Sequence, residues 1–272
     1  MVKDYTLKLT KGNKMVTYED IREFWADAGK KELDDNGLKP TARDPYLQEL
    51  IEKSIMKYLN SYDNVLDIGC GEGSSTKFFA SKVKKIVGID YTESLIEQAK
   101  KNNVANNATY LHENVLTLET IEDDFFDVSI NIRCLINLPE EEMQFKGIEN
   151  IFKKIKSGGL CIFNEGTINE FENLNVYRTR NKLTPMVLAK YNKLFPNAKL
   201  EEFFQEHGYI IDVITLGDYI YGSRIVHPMI VGENNIKHDS EINYSYAKMM
   251  LNEKLDKHPE LSYSSIYIVK KK

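Results

Sequence analysis

A parallel α/β sheet covered by helices on both faces is the architecture this sequence predicts, and three observations predict it. The stretch Val65 to Gly73 reads VLDIGCGEG, a short apolar run that ends in glycines at alternate positions. Such a run marks a buried strand entering a tight loop, and the residues from Ser74 then offer N-caps for a helix. The stretch Lys85 to Asp90, KIVGID, is a second apolar run closed by an acid. Strand-like and helix-like segments also alternate from 63 to 165, the pattern of a parallel sheet with right-handed crossovers.

Taken in order, residues 1–16 are polar and are expected to form a loosely held tail. Tyr18 to Lys31 reads as a short helix with Ile21, Phe24 and Trp25 on one face. The single tryptophan therefore belongs either to the core or to a lid. After a turn at Gly37 to Pro40, Arg43 to Asn60 is an amphipathic helix leading into the first strand. Strands are then expected at 63–69, 85–90, 108–112, 125–131 and 159–165, with helices at 74–83, 92–104 and 139–156. Beyond them lie a helix at 171–181, a helix from Ala198 to His207 and a strand from Tyr209 to Thr215. A helix near 240–257 and a last alternating strand from Ser264 to Val269 complete seven strands. In such a sheet, ligands bind beyond the carboxyl ends of the strands.

The glycine loop narrows the ligand. A dinucleotide loop would read G-x-G-x-x-G, but its third position here is Ser74. Asp67 and Glu72 would repel a pyrophosphate and welcome an ammonium or sulfonium group. An NAD enzyme remains the competing reading. The spacing D-x-G-x-G-x-G closely resembles motif I of the class I S-adenosylmethionine-dependent methyltransferases. IVGIDYTESLIEQAK (Ile86 to Lys100) resembles their second motif, and Asp90 follows the first glycine by about twenty residues, as a ribose-binding acid should.

The resemblance implies a Rossmann-like, seven-stranded, mostly parallel sheet whose last strand inserts antiparallel between the fifth and sixth. It implies S-adenosylmethionine as cofactor, held by Asp67, Gly69, Cys70, Gly71, Asp90 and Tyr91. In the loop after strand three, Asn114 and Val115 match the family's adenine-reading positions. FFDVSINIRCLINLP (Phe125 to Pro139) resembles the fourth motif and places Asn131 and Arg133 near the methionine end or the acceptor. Ser157–Gly158–Gly159 resembles the family's structural turn before strand five. The resemblance covers about Arg43 to Gly166 and the last two strands. Residues 1–42 then form an N-terminal helical lid or tail. Residues 43–272 form the methyltransferase domain, with acceptor-lid insertions at about 167–197 and 218–260.

Arginine usage bears on the acceptor. Of 36 basic residues only six are arginine, and Arg133, Arg178, Arg180 and Arg224 all follow strands four to six, at the ligand edge. Arginine is the better fork for carboxylate or phosphate, so the set favours an anionic small-molecule acceptor. Tyr221 suits stacking on it. Glu165 or His227 would be the general base for a sugar hydroxyl. The stretches Arg43–Asp44–Pro45–Tyr46 and YIYGSRIVHP (Tyr219 to Pro228) resemble methyltransferases of bacterial surface-polysaccharide clusters. The expected activity is O-methyl transfer to a sugar, nucleotide-sugar or phosphate-like oxygen. Transfer to nitrogen, to tRNA or to protein is the alternative, and a non-catalytic S-adenosylmethionine-binding protein is another.

Composition sets outer limits. The net charge of −5 and pI near 5.7 give nucleic acid no electrostatic support. No apolar run approaches the ~20 residues of a membrane span, and the polar start does not read as a signal peptide. Cys70, Cys134 and Cys161 lie far apart, with no C-x-x-C pair to suggest a metal; they read as reduced residues of a cytoplasmic protein.

Overall fold

The computed structural model describes residues 16–30, 43–253 and 255–272. The expected tail, apart from residue 16, the helix end at Lys31 and the turn at Gly37 to Pro40 lie outside the described residues. Helix α1 (Tyr18–Ala28) opens on a capping box: the Thr17 hydroxyl accepts from the Asp20 N–H, and the Asp20 carboxylate accepts from the Thr17 N–H. Helix α2 (Pro45–Ile55) starts with proline in its first turn, and the Asp44 carboxylate accepts from the Leu47 N–H at 3.1 Å. There follow β1 (Asn64–Ile68), α3 (Ser74–Ala80), β2 (Lys85–Asp90), α4 (Glu93–Asn102), β3 (Ala108–His112), β4 (Phe126–Ile132), α5 (Glu141–Lys154) and β5 (Ile155–Asn164). The remainder comprises α6 (Ile168–Arg180), α7 (Asn197–His207), β6 (Gly208–Ile214), α8 (Gly217–Tyr221), a π-helical turn (Gly222–Val226), α9 (His227–Val231), α10 (Glu241–Asn252) and β7 (Ile266–Lys271).

The seven strands form one sheet in the order β3-β2-β1-β4-β5-β7-β6. The first five run parallel to one another, and β7 runs antiparallel between β5 and β6, as expected. Successive strand residues serve opposite faces. Val65 joins the apolar layer under α2 and α3, with Ile51, Ile55 and Phe79; Leu66 joins the other, with Ile148 and Ile151 of α5 and Phe204 of α7. Ile51 and Ile55 are fully buried, and each such side chain contributes roughly 1.5–3 kcal/mol. The chain winds outward from β1 to β3 and then returns to β4. The ends of β1 and β4 therefore flank a topological switch point, where a crevice opens.

Two elements differ from expectation. Strand β5 begins at Ile155 rather than Gly159, because the Ser157–Gly158–Gly159 turn is absorbed as an irregularity in its pairing with β4. Residues 217–231, which overlap the expected insertion at 218–260 and for which no helix was expected, are almost continuously helical, with Tyr219, Ile220 and Ile225 fully buried. Two glycines and several β-branched residues argue against a helix locally; packing against α10 overrides them, and a Cβ on Gly222 would meet the Tyr246 ring at 2.2 Å.

Candidate functional site

The crevice is built from the glycine loop upward. Gly69, Gly71 and Gly73 take φ values of +70°, +56° and +83°. Gly69 has a second reason to lack a side chain: a Cβ there would lie 2.6 Å from the Cys134 Sγ. The loop after β1 is thereby pressed against the segment after β4. Asp90 ends β2 and is nearly buried. One carboxylate oxygen accepts from the Gly71 N–H at 3.0 Å and the other from the Thr92 N–H at 2.8 Å. Burial raises its pKa, and those two N–H groups oppose the shift. Asp67 is buried inside β1 and accepts from the Thr76 hydroxyl at 2.5 Å. Burial pushes its carboxyl up to about 7, against that hydrogen bond and with help from the charges of Glu52 and Asp90.

These residues line a cavity of about 250 Å³. Asp67, Gly69, Cys70, Gly71, Asp90 and Tyr91 all face it, so the sequence motifs converge there. Arg133 and Cys134 form a second wall. Arg133 holds a left-handed backbone (φ +50°), rare for a residue with a side chain, and its Nη2 donates to Gln48 Oε1 at 2.7 Å. Gln48 and Glu52 on α2 and Ser75 on α3 close a third side. Trp25 of α1 and Tyr191 also line the cavity, the Tyr191 ring stacking on Phe24 at 4.3 Å and lying 5.7 Å from Trp25. The four carboxylates Glu52, Asp67, Glu72 and Asp90 make the wall suited to a ligand with cationic groups, and Arg43 and Arg133 add cationic points to the lining.

Several expected residues stand elsewhere. Asn114 and Val115 are not in the cavity wall. The Asn114 amide donates to Tyr18 Oη at 3.1 Å and its oxygen accepts from the Leu116 N–H, while Val115 is packed in the core. Asn131 is fully buried and is not in the cavity wall. Glu165 is not placed as a base. It is 1% exposed, and its two oxygens accept from the Leu135 and Ile136 N–H groups at 2.8 and 3.0 Å, which holds the segment after β4 in position. Burial, outweighing these bonds, pushes its carboxyl up to about 8. His227 is equally buried, its Nδ1 3.4 Å from the Ser240 hydroxyl, and burial lowers its pKa.

The expected arginine cluster does not form around the cavity. The Arg178 guanidinium is occupied by Glu233 at 2.7 Å, the Thr184 carbonyl at 2.8 Å and the Arg224 carbonyl. Arg180 is exposed, and Arg224 pairs with Asp44 at 2.6 Å. Tyr221 stacks on His258 instead of facing the cavity. Of the five residues expected to bind the acceptor, only Arg133 lines it. Gln48, Glu52 and Ser75 were not anticipated. A polar pair at i, i+4 on an amphipathic helix was the available signal, and it reads equally as a solvated face.

Among the described residues no helix is long and apolar enough to cross a membrane. A family described as a methyltransferase domain matches residues 65–159, the span from β1 into β5. The chain is 27% identical over 163 residues to the ubiquinone biosynthesis O-methyltransferase of Coxiella burnetii, covering 57% of this chain and 61% of that one. It is 26% identical over 159 residues to the phosphoethanolamine N-methyltransferase of Triticum aestivum, covering 56% of this chain and 30% of that one. The fold matches that of phosphoethanolamine N-methyltransferase 1 of Haemonchus contortus, solved with phosphoethanolamine and S-adenosylhomocysteine. That match has a TM-score of 0.60 and 16% identity, over 94% of this chain and 50% of that one.

Proposed function

We propose that this chain, a class I S-adenosylmethionine-dependent methyltransferase, moves the cofactor's methyl group to a small acceptor that carries an anionic group. The acid-lined wall around the glycine loop fits the cofactor's two cationic centres, and Asp90, oriented by Gly71 and Thr92, suits its ribose hydroxyls. When bound, S-adenosylmethionine supplies a methyl group already activated by its sulfonium. The protein's task is then to align the acceptor about 3–3.5 Å from that carbon and to keep water out.

One observation carries the anionic acceptor. Arg133 holds a strained backbone, is pinned by Gln48, and stands in the cavity that contains the cofactor motifs. Its planar fork matches carboxylate or phosphate. We assign Trp25 and Tyr191 to a lid that joins α1 to the stretch between α6 and α7 over the cavity. Neither Glu165 nor His227 is placed to take a proton. An oxygen that is already anionic, such as that of a phosphate-like acceptor, needs no base.

The reading is tested by following S-adenosylhomocysteine formation with sugar phosphates, nucleotide sugars and hydroxy acids, each beside its neutral counterpart. The anionic members should turn over, and Arg133→Met should raise their KM roughly tenfold or more, the loss of one charge-assisted fork. Equal turnover of the neutral members would overturn the anionic acceptor. Transfer to nitrogen is the second reading, favoured by the likeness to the wheat enzyme, whose named acceptor carries both a phosphate and an amine. The position of the new methyl group in the product distinguishes the two.

A further inference from the structure

Glu52 belongs to α2, outside both sequence motifs, yet it lines the cavity. Its side chain is held in place from one side. Oε1 accepts from the Ser75 hydroxyl at 2.6 Å and from Gln48 Nε2 at 3.1 Å. Gln48 Nε2 also lies 2.9 Å from the Ser75 hydroxyl, so the three side chains brace one another. Among the described residues, Oε2 accepts no hydrogen bond, and Glu52 joins no ion pair. Gln48 explains why. Its amide stands between Glu52 and Arg133, accepting from the guanidinium and donating to the carboxylate. A half-buried carboxylate is thus oriented by neutral groups and, among the described residues, left without a paired cation.

The other acids of the cavity have different duties. Asp90 receives Gly71 and Thr92 and faces the ribose in the reading above. Glu72 accepts from the Ser74 hydroxyl. Asp67 lies deepest and is pushed up to about 7, so near neutrality it holds only part of its charge. Glu52 lines the same cavity as Asp67, tied to Ser75 at the start of α3, and its charge adds to that upward shift. Of the cofactor's two cations, the sulfonium has no N–H to give, whereas the α-ammonium has three. An oxygen with an unused lone pair complements the second.

We propose that Glu52 Oε2 receives the α-ammonium of the cofactor's amino-acid end, so that α2 completes a site whose other contacts come from the strand ends. This rests on the S-adenosylmethionine reading. The test compares two ligands by calorimetry: S-adenosylhomocysteine, and 5′-methylthioadenosine, which keeps the adenosine and thioether but has no amino-acid group. Glu52→Gln preserves the oxygen that accepts from Ser75 and Gln48 and replaces Oε2 with a donor. It should weaken S-adenosylhomocysteine roughly tenfold to a hundredfold, and leave methylthioadenosine within about twofold. Glu52→Asp, which keeps the charge but shortens its reach, should fall between. Equal weakening of both ligands would show that Glu52 only shapes the fold, and no weakening of either would place the ammonium elsewhere; each overturns the proposal. If the unaltered protein bound neither ligand, the cofactor reading itself would fail and take the proposal with it.

Discussion

Removing the Asp44 carboxylate should destabilise the protein more than any surface change, and the size of the effect follows from its contacts. Asp44 is 6% exposed. One oxygen accepts from Tyr219 Oη at 2.5 Å and from the Leu47 N–H at 3.1 Å; the other accepts from Arg224 Nη2 at 2.6 Å. The Arg224 side chain is 10% exposed, and its Nη1 already lacks a hydrogen-bond partner among the described residues, so nothing stands ready to replace Asp44. Breaking a buried pair from one side costs about 3–5 kcal/mol, because the other charge is stranded. Losing the N-cap of α2 adds about 1 kcal/mol. Asp44→Ala should therefore lose about 4–6 kcal/mol, a fall in Tm of roughly 10–20 °C for a chain of this size. Asp44→Asn keeps the capping oxygen and should lose less. The double change Asp44→Leu with Arg224→Met removes both charges together and should recover most of the loss. A melt of Asp44→Ala within a few degrees of the unaltered protein, or a double variant no better than the single, would refute the reasoning. Burial alone would raise the Asp44 pKa; Arg224, Tyr219 and the Leu47 N–H outweigh it and hold the group below its usual range. The stabilisation is accordingly complete above the unfolded value, near pH 4, and is lost as pH falls through the lower folded value. His238 lies 3.6 Å from the same carboxylate, and burial lowers its pKa, so its own charging lies below its ordinary range.

Two further outcomes are expected. Asp90→Ala should weaken S-adenosylhomocysteine binding by a few kcal/mol if, as proposed, its oriented, buried carboxylate accepts from the two ribose hydroxyls, and unchanged affinity by calorimetry would refute that assignment. Glu165 is raised to about 8 in the folded state, so the unfolded chain releases this proton first and stability should fall as pH rises from roughly 5 to 8. Denaturant titrations across that range should show a flatter dependence for Glu165→Gln, and an identical slope in both proteins would contradict the shift.

Local sequence determined the parts of this protein whose chemistry is carried by neighbouring residues. VLDIGCGEG specified a strand, a loop with left-handed backbone and the end of the sheet where the cavity opens, because glycine spacing and an apolar run act on the backbone within a few residues. KIVGID added Asp90, and the structure hydrogen-bonds that carboxylate to Gly71 of the first motif. The alternation of strands and helices dictated the parallel sheet. The partner of each charge was a different matter. Glu165 and Glu52 are the same residue type, but only the packed fold delivers two backbone N–H groups to the first and, among the described residues, leaves an oxygen of the second unused. Arg178 and Arg224 had the right scarcity and placement for an anion site, and the fold turned both to internal partners, the Asp44–Arg224 contact joining residues 180 positions apart. Residues 217–231 became helical because burial against α10 outweighed weak local preference. The physical reason is common to all three. A loop's conformation is written in adjacent residues, whereas the pairing of charges and the burial of a helix depend on contacts that exist only after distant segments have packed together.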